Sequence, residues 1–571
     1  MSQPWDFLDD YRQENESGVV LANQWPTLPE LFEITVHRYA DRRAFTTFDP
    51  EEMVLTYREV HRKILATAAE LSKRKIKPGD FVALTGKNSP EWAVAYLAVL
   101  FAGGIIVPID YQLDSEDIVG LAGRARAKLI FVDTERYEEV KPLKVPRISL
   151  APDQKDYIFD LPEKDFDRVL RQPSEPAAIL FTSGTTGHAK GVVLSHENLT
   201  SDCLLAQANL GIYHTDIFYA VLPLHHSYSM LAVFIEAISV GAEIVFAKRL
   251  AVTQMLEELK RARVTMLLGI PLLFNKLLKG IMRGVKQKGP IAVAVVHTML
   301  AISSLSKTVF RKNIGKKLFH SILEKASLAS IRICISGGGP LPAKTFRRFN
   351  QLGLSFVQGY GLTETSPILT LNPTYKYKVH SVGKVLPQTT LKILAPDGRG
   401  RGEIAAQGPM IMKGYFEDEE ATRAVMTDDG FFRTGDVGYL DDDNYLYLSG
   451  RAKSLIVTSG GKNVYPEEIE DEFQLYDEVD QILVRGYMRD KKMREEDIEA
   501  LVYPDLDLFA ERHGTKGSEP NWDAIQERLE EIVAEVNKRL QPYQRISRVK
   551  PLSAPMEMTT TKKIKRHEVD A

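Results

Sequence analysis

From Phe81 to about Val357 the sequence alternates short apolar runs with segments of helical period, and this alternation constrains the fold more than any other feature. The apolar runs have the length of strands, and the intervening segments are long enough to form crossover helices. This order predicts parallel sheets covered by helices, in which ligands bind where loops leave the carboxyl ends of strands. Strands are predicted at Phe81–Gly86, Ile105–Ile109, Lys128–Val132, Ala177–Phe181, Phe218–Leu222, Glu243–Ala247, Val264–Gly269, Ile331–Ile335 and Leu354–Val357.

Beyond about Val382 the pattern changes to short, turn-separated apolar runs, which predict a small antiparallel β-rich subdomain. The residues after Gly450 then mix predicted strands and helices. We therefore predict an α/β protein in two parts. Residues 1–450 form a large N-terminal domain of helix-covered sheets that includes the β-rich subdomain, and residues 451–571 form an α+β C-terminal lid.

Composition excludes some classes of protein. A formal net charge of −3 over 571 residues gives no general attraction to nucleic acid or to an anionic membrane, so no nucleic-acid partner is expected. The two cysteines, Cys203 and Cys334, lie in apolar stretches and are predicted to be buried thiols, which fits a reducing cytoplasm.

Two segments raise the question of a membrane. Trp92–Ile109 is close to membrane-spanning length, but Gly103, Gly104 and Pro108 interrupt it, so a buried helix followed by a buried strand is predicted. Ser306–Leu328 is amphipathic and rich in lysine. It predicts either a solvated helix face over the core or a contact with a membrane surface or an anionic ligand.

The segment after the predicted strand Ala177–Phe181 combines hydroxyl groups, glycines and a lysine in one loop. Hydroxyls donate hydrogen bonds to phosphate, glycines let backbone N–H groups approach an anion, and a lysine supplies positive charge. Gly191 follows Lys190 where a Walker A loop has a hydroxyl residue, so a P-loop ATPase is disfavoured. The predicted phosphate contacts are Thr182, Ser183, Gly184, Thr185, Thr186, Gly187 and Lys190.

Six further tracts accompany this loop, and they are Ser336–Leu341, Gln358–Thr365, Arg433–Asp436, Ser449–Lys453, Ser459–Pro466 and Thr559–Ile564. Together they resemble the adenylate-forming superfamily, which includes acyl-CoA synthetases, adenylation domains of peptide synthetases and luciferases. The resemblance spans roughly Trp25 to Arg566 and is greatest to bacterial long-chain fatty-acid–CoA ligases. It implies that a carboxylic acid reacts with ATP and Mg²⁺ to form an acyl-AMP, whose acyl group then passes to a thiol.

The resemblance also implies roles for individual residues. Tyr360 would stack on adenine, Thr363 would donate to a phosphate, and Glu364 would bind Mg²⁺ through a carboxylate oxygen. Asp436 and Arg451 would bind the ribose or a phosphate. The other predicted nucleotide contacts are Gly338, Gly339, Pro340, Gln358, Gly359, Gly361 and Tyr447.

In the lid, the resemblance implies a domain that rotates between two half-reactions. Lys453 would be the hinge, and Gly460 and Gly461 would border the path of the coenzyme A thiol. Lys563 would be the catalytic lysine, although Lys562 stands where the family has glycine. The predicted catalytic groups are Lys563, His226 near the acyl carboxylate, Thr182 and Glu364.

The expected function is that of an AMP-forming acid–thiol ligase, with a fatty or other carboxylic acid, ATP and coenzyme A as substrates. An apolar pocket lined by Leu267, Leu268 and Ile270 would suit a long acyl chain but would discriminate chain length weakly. Open alternatives are an aryl or medium-chain acid, a carrier protein as acceptor, a non-enzymatic acyl-AMP binder and a membrane-embedded transporter. The expected location is cytoplasmic; peripheral contact with the inner membrane and formation of an oligomer are left open.

Overall fold

The structure is a computed structural model, and it describes residues 25–182, 189–247, 251–310, 312–458, 462–474, 476–490, 495–513, 519–558 and 564–566. The strands, in chain order, are β1 (Arg43–Thr47), β2 (Met53–Thr56), β3 (Phe81–Thr85), β4 (Ile105–Ile109), β5 (Leu129–Val132), β6 (Arg147–Ser149), β7 (Pro176–Thr182), β8 (Lys190–Ser195), β9 (Ile217–Ala220), β10 (Glu243–Phe246), β11 (Met266–Gly269), β12 (Ile333–Ser336), β13 (Ser355–Tyr360), β14 (Thr370–Leu371), β15 (Gly383–Val385), β16 (Thr390–Leu394), β17 (Gly402–Gln407), β18 (Gly414–Tyr415), β19 (Phe432–Leu440), β20 (Tyr445–Arg451), β21 (Ile456–Val457), β22 (Asn463–Val464), β23 (Val479–Asp490), β24 (Glu495–Pro504) and β25 (Arg548–Pro551).

The helices, in chain order, are α1 (Leu28–Tyr39), α2 (Tyr57–Lys73), α3 (Pro90–Phe101), α4 (Ser115–Arg124), α5 (Thr134–Tyr137), α6 (His196–Ala206), α7 (Ser227–Val240, with a π-helical stretch), α8 (Val252–Ala262), α9 (Pro271–Lys286), α10 (Pro290–Val309), α11 (Gly315–Leu318), α12 (His320–Lys325), α13 (Ala343–Gln351), α14 (Glu419–Ala424), α15 (Pro466–Glu470), α16 (Leu506–His513) and α17 (Trp522–Asn537).

The described residues divide into two compact units. The first unit takes its residues from Met1–Gly339, Phe346–Leu391 and Ala406–Phe432, and the second from Pro340–Thr345, Lys392–Ala405 and Arg433–Ala571. The predicted division at residues 450 and 451 into a domain and a lid stays a prediction.

In the first unit, one sheet has the strand order β15-β14-β13-β12-β11-β9-β10-β1-β2, and its central strands are parallel. The other has the order β18-β8-β7-β4-β3-β5-β6, and β4, β3, β5 and β6 are parallel. The prediction of parallel sheets with helical crossovers is thus confirmed for the first unit. Nearly all the strands foreseen from the apolar runs are present within one to three residues of their predicted ends.

The long apolar run Trp92–Ile109 is a buried helix and a buried strand, as predicted. Every residue of α3 is buried, and all of β4 is buried as well. Ser89 caps α3 by accepting a hydrogen bond from the Trp92 N–H, and Pro90 occupies the first turn, where a missing N–H costs nothing. A helix that is buried on every side belongs in the interior of a large domain.

The predicted amphipathic segment Ser306–Leu328 is not one continuous helix. Helix α10 ends at Val309, and the following residues form the short helices α11 and α12. Gly315 begins α11 beside the backbone of Gln351, where a Cβ atom would lie 2.6 Å from the Gln351 carbonyl oxygen. The chain therefore turns at this close approach instead of continuing one helix.

The second unit is an α+β assembly, as predicted for the C-terminal part of the chain. Strands β23 and β24 pair antiparallel, and β25 pairs parallel to β24. Helix α17 packs on this sheet through a stripe at helical spacing, formed by Ile525, Leu529, Ile532, Val533 and Val536. Strands β19 and β20 form an antiparallel pair in the same unit.

Candidate active site

The tract rich in hydroxyls and glycine connects two antiparallel strands. Strand β7 pairs with β8, and Thr182 lies directly opposite Lys190. Strand β8 was not predicted, because Lys190-Gly-Val-Val-Leu-Ser195 was taken as part of the loop. Thr182 and Lys190 thus form the base of the connection, and the predicted contacts Ser183, Gly184, Thr185, Thr186 and Gly187 lie outside the described residues.

Three functional groups from distant parts of the sequence meet at this base. The Lys190 Nζ atom lies 4.7 Å from the centre of the Tyr415 ring, close enough for a cation–π interaction. The Tyr415 hydroxyl donates a hydrogen bond of 2.9 Å to Glu364 Oε1. Burial, reinforced by the Glu364 charge, raises the pKa of Tyr415, so the phenol stays protonated and donates. The arrangement places a lysine and a carboxylate on opposite parts of one tyrosine.

Strand pairing explains why Tyr415 reaches this position. Strand β18 runs antiparallel to β8, with Gly414 opposite Val193 and Tyr415 opposite Val192. The Met412 N–H donates to the Glu364 carbonyl at 2.9 Å, which holds the two segments together. Sequence reasoning missed Tyr415, since a tyrosine after Lys413 and Gly414 carries no signal of its own.

The tracts Ser336–Leu341 and Gln358–Thr365 leave the same edge of the first sheet, as their positions after strands predicted. Ser336, the last residue of β12, is paired with Gln358 of the parallel strand β13. Gly361 comes directly after the last residue of β13. A Cβ atom at this position would lie 1.7 Å from the Pro367 carbonyl oxygen, so only glycine fits. This close packing turns the chain into the short helical turn Thr363–Thr365.

The structure places the remaining predicted residues of these tracts as follows. Gln358 is buried, and Gly359 and Tyr360 pair with Leu371 and Thr370 of β14. The Thr363 hydroxyl lies 3.1 Å from the hydroxyl of Ser227, the first residue of α7. Gly338 has a positive φ of 78°, and Gly339 follows it. Pro340 belongs to the second unit, where its carbonyl oxygen accepts a 3.3 Å hydrogen bond from the side chain of Gln474.

His226 belongs to a small polar cluster inside the first unit. Its Nε2 atom lies 3.1 Å from Nε2 of His225, which in turn lies 3.3 Å from Asp110 Oδ1. The ligand atoms of the three residues all lie within 4.8 Å of one another. Sequence reasoning singled out His226 but missed Asp110, because nothing in the sequence shows that the end of β4 meets the start of α7.

In the second unit, the predicted ribose ligands are brought together. Asp436 and Arg451 are cross-strand partners in β19 and β20, and Arg451 Nε lies 3.2 Å from Asp436 Oδ1. The preceding Gly435 has a φ of 72°, a conformation that favours glycine. Asp436 is nearly buried and Arg451 is about half exposed, so the guanidinium fixes the carboxylate from the solvent side.

Two other predicted residues of this unit have identifiable surroundings. Tyr447 stacks on Tyr439 with ring centres 4.9 Å apart, and its hydroxyl donates to Asp441 Oδ2 at 3.1 Å. Lys453 is exposed in the short helical turn Ala452–Ser454, directly after β20. Gly460, Gly461 and Lys563 lie outside the described residues. The roles assigned to all of these side chains remain predictions.

Comparison with known proteins identifies the family. The sequence profile of the family described as "AMP-binding enzyme" matches residues 32–416, which is more than half of the chain. The chain therefore belongs to the AMP-binding enzyme family, in agreement with the resemblance drawn from its motifs. Both Lys190 and Glu364, as well as Tyr415 between them, fall within the matched region.

Relatives and solved structures extend the match. The rat long-chain-fatty-acid–CoA ligase ACSBG1 is 28% identical over 485 residues, which is 78% of this chain and 67% of the relative. A feruloyl-CoA synthase from Amycolatopsis is 29% identical over 443 residues, covering 76% of this chain and 80% of that protein.

Among structures, ATP-bound MatB from Rhodopseudomonas palustris has a TM-score of 0.74 and 25% identity, with 95% of this chain and 98% of that chain covered. MenE from Bacillus subtilis, solved with ATP and a magnesium ion, has a TM-score of 0.72 at 23% identity, over 95% of this chain and 99% of that chain, and shares the fold.

Proposed function

We propose that this protein is an ATP-dependent, AMP-forming acid–thiol ligase that activates a long-chain fatty acid and transfers it to coenzyme A. The observation that carries the proposal is the meeting of Lys190, Tyr415 and Glu364 at the base of the hydroxyl- and glycine-rich tract. A cation and a carboxylate held by one tyrosine suit a polyphosphate that arrives with a divalent cation.

In the proposed reaction, the substrate carboxylate attacks the α-phosphorus of ATP, the bond to the β-phosphate oxygen breaks, and pyrophosphate leaves. The thiol of coenzyme A then attacks the acyl carbonyl, the thiolate displaces AMP, and the thiol proton passes to solvent. Lys190 would stabilise negative charge on the phosphates. Glu364 offers the oxygen donor that Mg²⁺ prefers, and the ion supplies charge neutralisation when bound.

The long acyl chain is supported by the ACSBG1 relatives, whose names state that activity. An aryl acid is the second candidate. The feruloyl-CoA synthase is slightly more identical to this chain than ACSBG1 is, and the match spans a larger share of that protein's length. Leu267 and Leu268 are fully buried in β11 between β9 and β12, and Ile270 is half-buried. Their predicted contact with the acyl chain remains to be tested.

The decisive experiment measures AMP release by the purified protein with ATP and Mg²⁺, using a panel of fatty acids of increasing length together with ferulate. Coenzyme A and a pantetheinylated carrier protein are offered separately as acceptors. We expect the highest kcat/KM with a long-chain fatty acid and coenzyme A. Preference for ferulate would assign the aryl substrate, and release of AMP only with the carrier protein would change the acceptor. No acid-dependent exchange of pyrophosphate into ATP would refute the function itself.

We further propose a cytoplasmic protein that contacts the inner membrane peripherally. Two free, buried cysteines support a reducing compartment. Recovery in the membrane fraction at low salt and release by high salt would support the peripheral contact. Formation of an oligomer stays open, and size-exclusion chromatography with light scattering would decide it.

A further inference from the structure

One side of α10 is apolar and exposed along the whole helix. The side packed on the protein presents Val296, Leu300 and Ser303, which are buried. The opposite side carries no lysine, arginine or carboxylate, and His297 stands at its margin. At spacings of three and four residues, this exposed side, here called the α10 face, consists of Ile291, Ala294, Val295, Thr298, Ala301, Ile302, Leu305, Thr308 and Val309.

The α10 face exposes large apolar side chains along the full length of the helix. Ile291 is 79% exposed, and Leu305 and Val309 are each 60% exposed. Phe310 extends the apolar surface just beyond the helix, with 66% of its area exposed. A helix of 20 residues is about 30 Å long, so the strip is far longer than a single exposed side chain. Contiguous apolar surface of this kind marks a site of interaction.

The charged residues that flank the α10 face in the sequence all have one sign. From Leu259 to Leu323 the sequence contains thirteen lysines and arginines and no aspartate or glutamate, in a chain whose formal net charge is −3. Exposed lysines stand at both ends of the helix, Lys286 and Lys288 before it and Lys312 and Lys317 after it. An apolar strip with positive charge at both ends complements an anionic lipid surface, because the acyl region accepts the strip while the headgroups pair with the lysines.

The helix is suited to lying on a bilayer rather than crossing it. Among the described residues, α10 alone is long and apolar enough to span a membrane by length and composition. However, α9 packs against it, and Lys307 on its packed flank donates a 2.8 Å hydrogen bond to Asn350 and lies 4.8 Å from the centre of the Tyr377 ring. These contacts hold one side of α10 on the protein, so only the α10 face is available to lipid.

We infer that the α10 face is the surface by which this protein docks on an anionic lipid bilayer. The helix lies in the plane of the interface with its apolar side chains among the acyl chains, and the flanking lysines contact the headgroups. The inference deepens the peripheral location advanced under the proposed function, but it does not depend on which acid is activated.

The test is co-sedimentation of the full-length protein with vesicles of phosphatidylcholine and phosphatidylglycerol, compared with vesicles of phosphatidylcholine alone. One variant combines Ile302→Ser, Leu305→Ser and Val309→Ser, and its matched control combines Leu170→Ser with Tyr375→Ser, which are 77% and 80% exposed elsewhere. A second variant combines Lys312→Gln and Lys317→Gln, and its control combines Lys128→Gln and Lys538→Gln, also exposed.

We expect the native protein to bind the anionic vesicles and to be released by salt. The apolar variant should bind about 1,000-fold more weakly, since each of the three aliphatic side chains is worth about tenfold. The lysine variant should lose about 25-fold, at about fivefold for each charge. Both controls should bind like the native protein. Unchanged thermal midpoints and unchanged AMP release on a short, water-soluble acid would show that the variants are folded.

The inference is overturned if the native protein does not bind anionic vesicles at low salt, or if either surface variant binds as the native protein does. It is also overturned if the apolar variant abolishes a concentration-dependent dimer while vesicle binding persists, because the face then joins two copies of the chain. Failure of the proposed enzymatic function would give a distinct result. The native protein would then release no AMP with any acid, while it still bound the vesicles.

Discussion

Replacing Tyr415 by phenylalanine should weaken the enzyme's response to Mg²⁺ while leaving the fold intact. The substitution removes the hydroxyl that donates the 2.9 Å hydrogen bond to Glu364, but it keeps the ring that faces Lys190. A hydrogen bond to a charged group is worth about 1.5–3 kcal/mol. We therefore expect about a 10- to 150-fold loss in kcat/KM for adenylation at limiting Mg²⁺, with partial recovery at high Mg²⁺.

The assay is pyrophosphate exchange measured across a range of Mg²⁺ concentrations. The matched control is Tyr157→Phe, which removes a similar hydrogen bond of 2.7 Å from a tyrosine to Glu91, in another part of the same unit. The double variant with Glu364→Gln isolates the coupling, because the loss from Tyr415→Phe should largely disappear once the carboxylate is gone. An unchanged Mg²⁺ dependence in Tyr415→Phe would refute the reasoning, as would additive losses in the double variant.

Three further predictions concern other residues. Lys563→Ala should lower acyl-AMP formation by about 10²–10³-fold but slow thioester formation from supplied acyl-AMP much less, and equal losses in both half-reactions would contradict its catalytic role. Asp436→Asn should raise the KM for ATP by about tenfold or more, since the Arg451 guanidinium loses its charged partner, and steady-state kinetics at varied ATP would reveal it. Burial raises the pKa of Glu236 to about 8. Between about pH 4.5 and about pH 8 this carboxyl group ionises in the unfolded state but not in the folded state, so stability should fall as the pH rises through this range. Glu236→Gln should flatten that part of the profile of thermal midpoint against pH.

The sequence predicted the fold best where a local pattern decides the structure. The parallel strands and the buried helix α3 follow from apolar runs of characteristic length, because burial on both faces leaves no polar alternation to interpret. Strand β8 was missed because Lys190 and Gly191 continue the composition of the loop. Its pairing with β7 depends on the folded structure and leaves no local sequence signal. The break in the predicted amphipathic segment is of the same kind, because Gly315 turns where a distant backbone approaches.

The candidate site was predicted as a list of motifs rather than as a set of contacts. Glu364 and Lys190 were identified individually, but the tyrosine between them comes from a third segment with no recognisable motif. Asp436 and Arg451 were assigned related roles, and their cross-strand pairing explains why the two tracts occur together. Asp110 was missed for the same reason as Tyr415: spatial proximity between elements far apart in sequence leaves no local trace.

The pairing of Thr182 with Lys190 has a consequence for protein engineering. Side chains alternate between the two faces of a strand, so the face to which Lys190 points depends on its register with β7. Inserting or deleting one residue between Lys190 and Val193 would rotate the ammonium group to the opposite side of the sheet without removing any group from the protein. Libraries that diversify this region should therefore vary residue identity and keep the length of β8 constant.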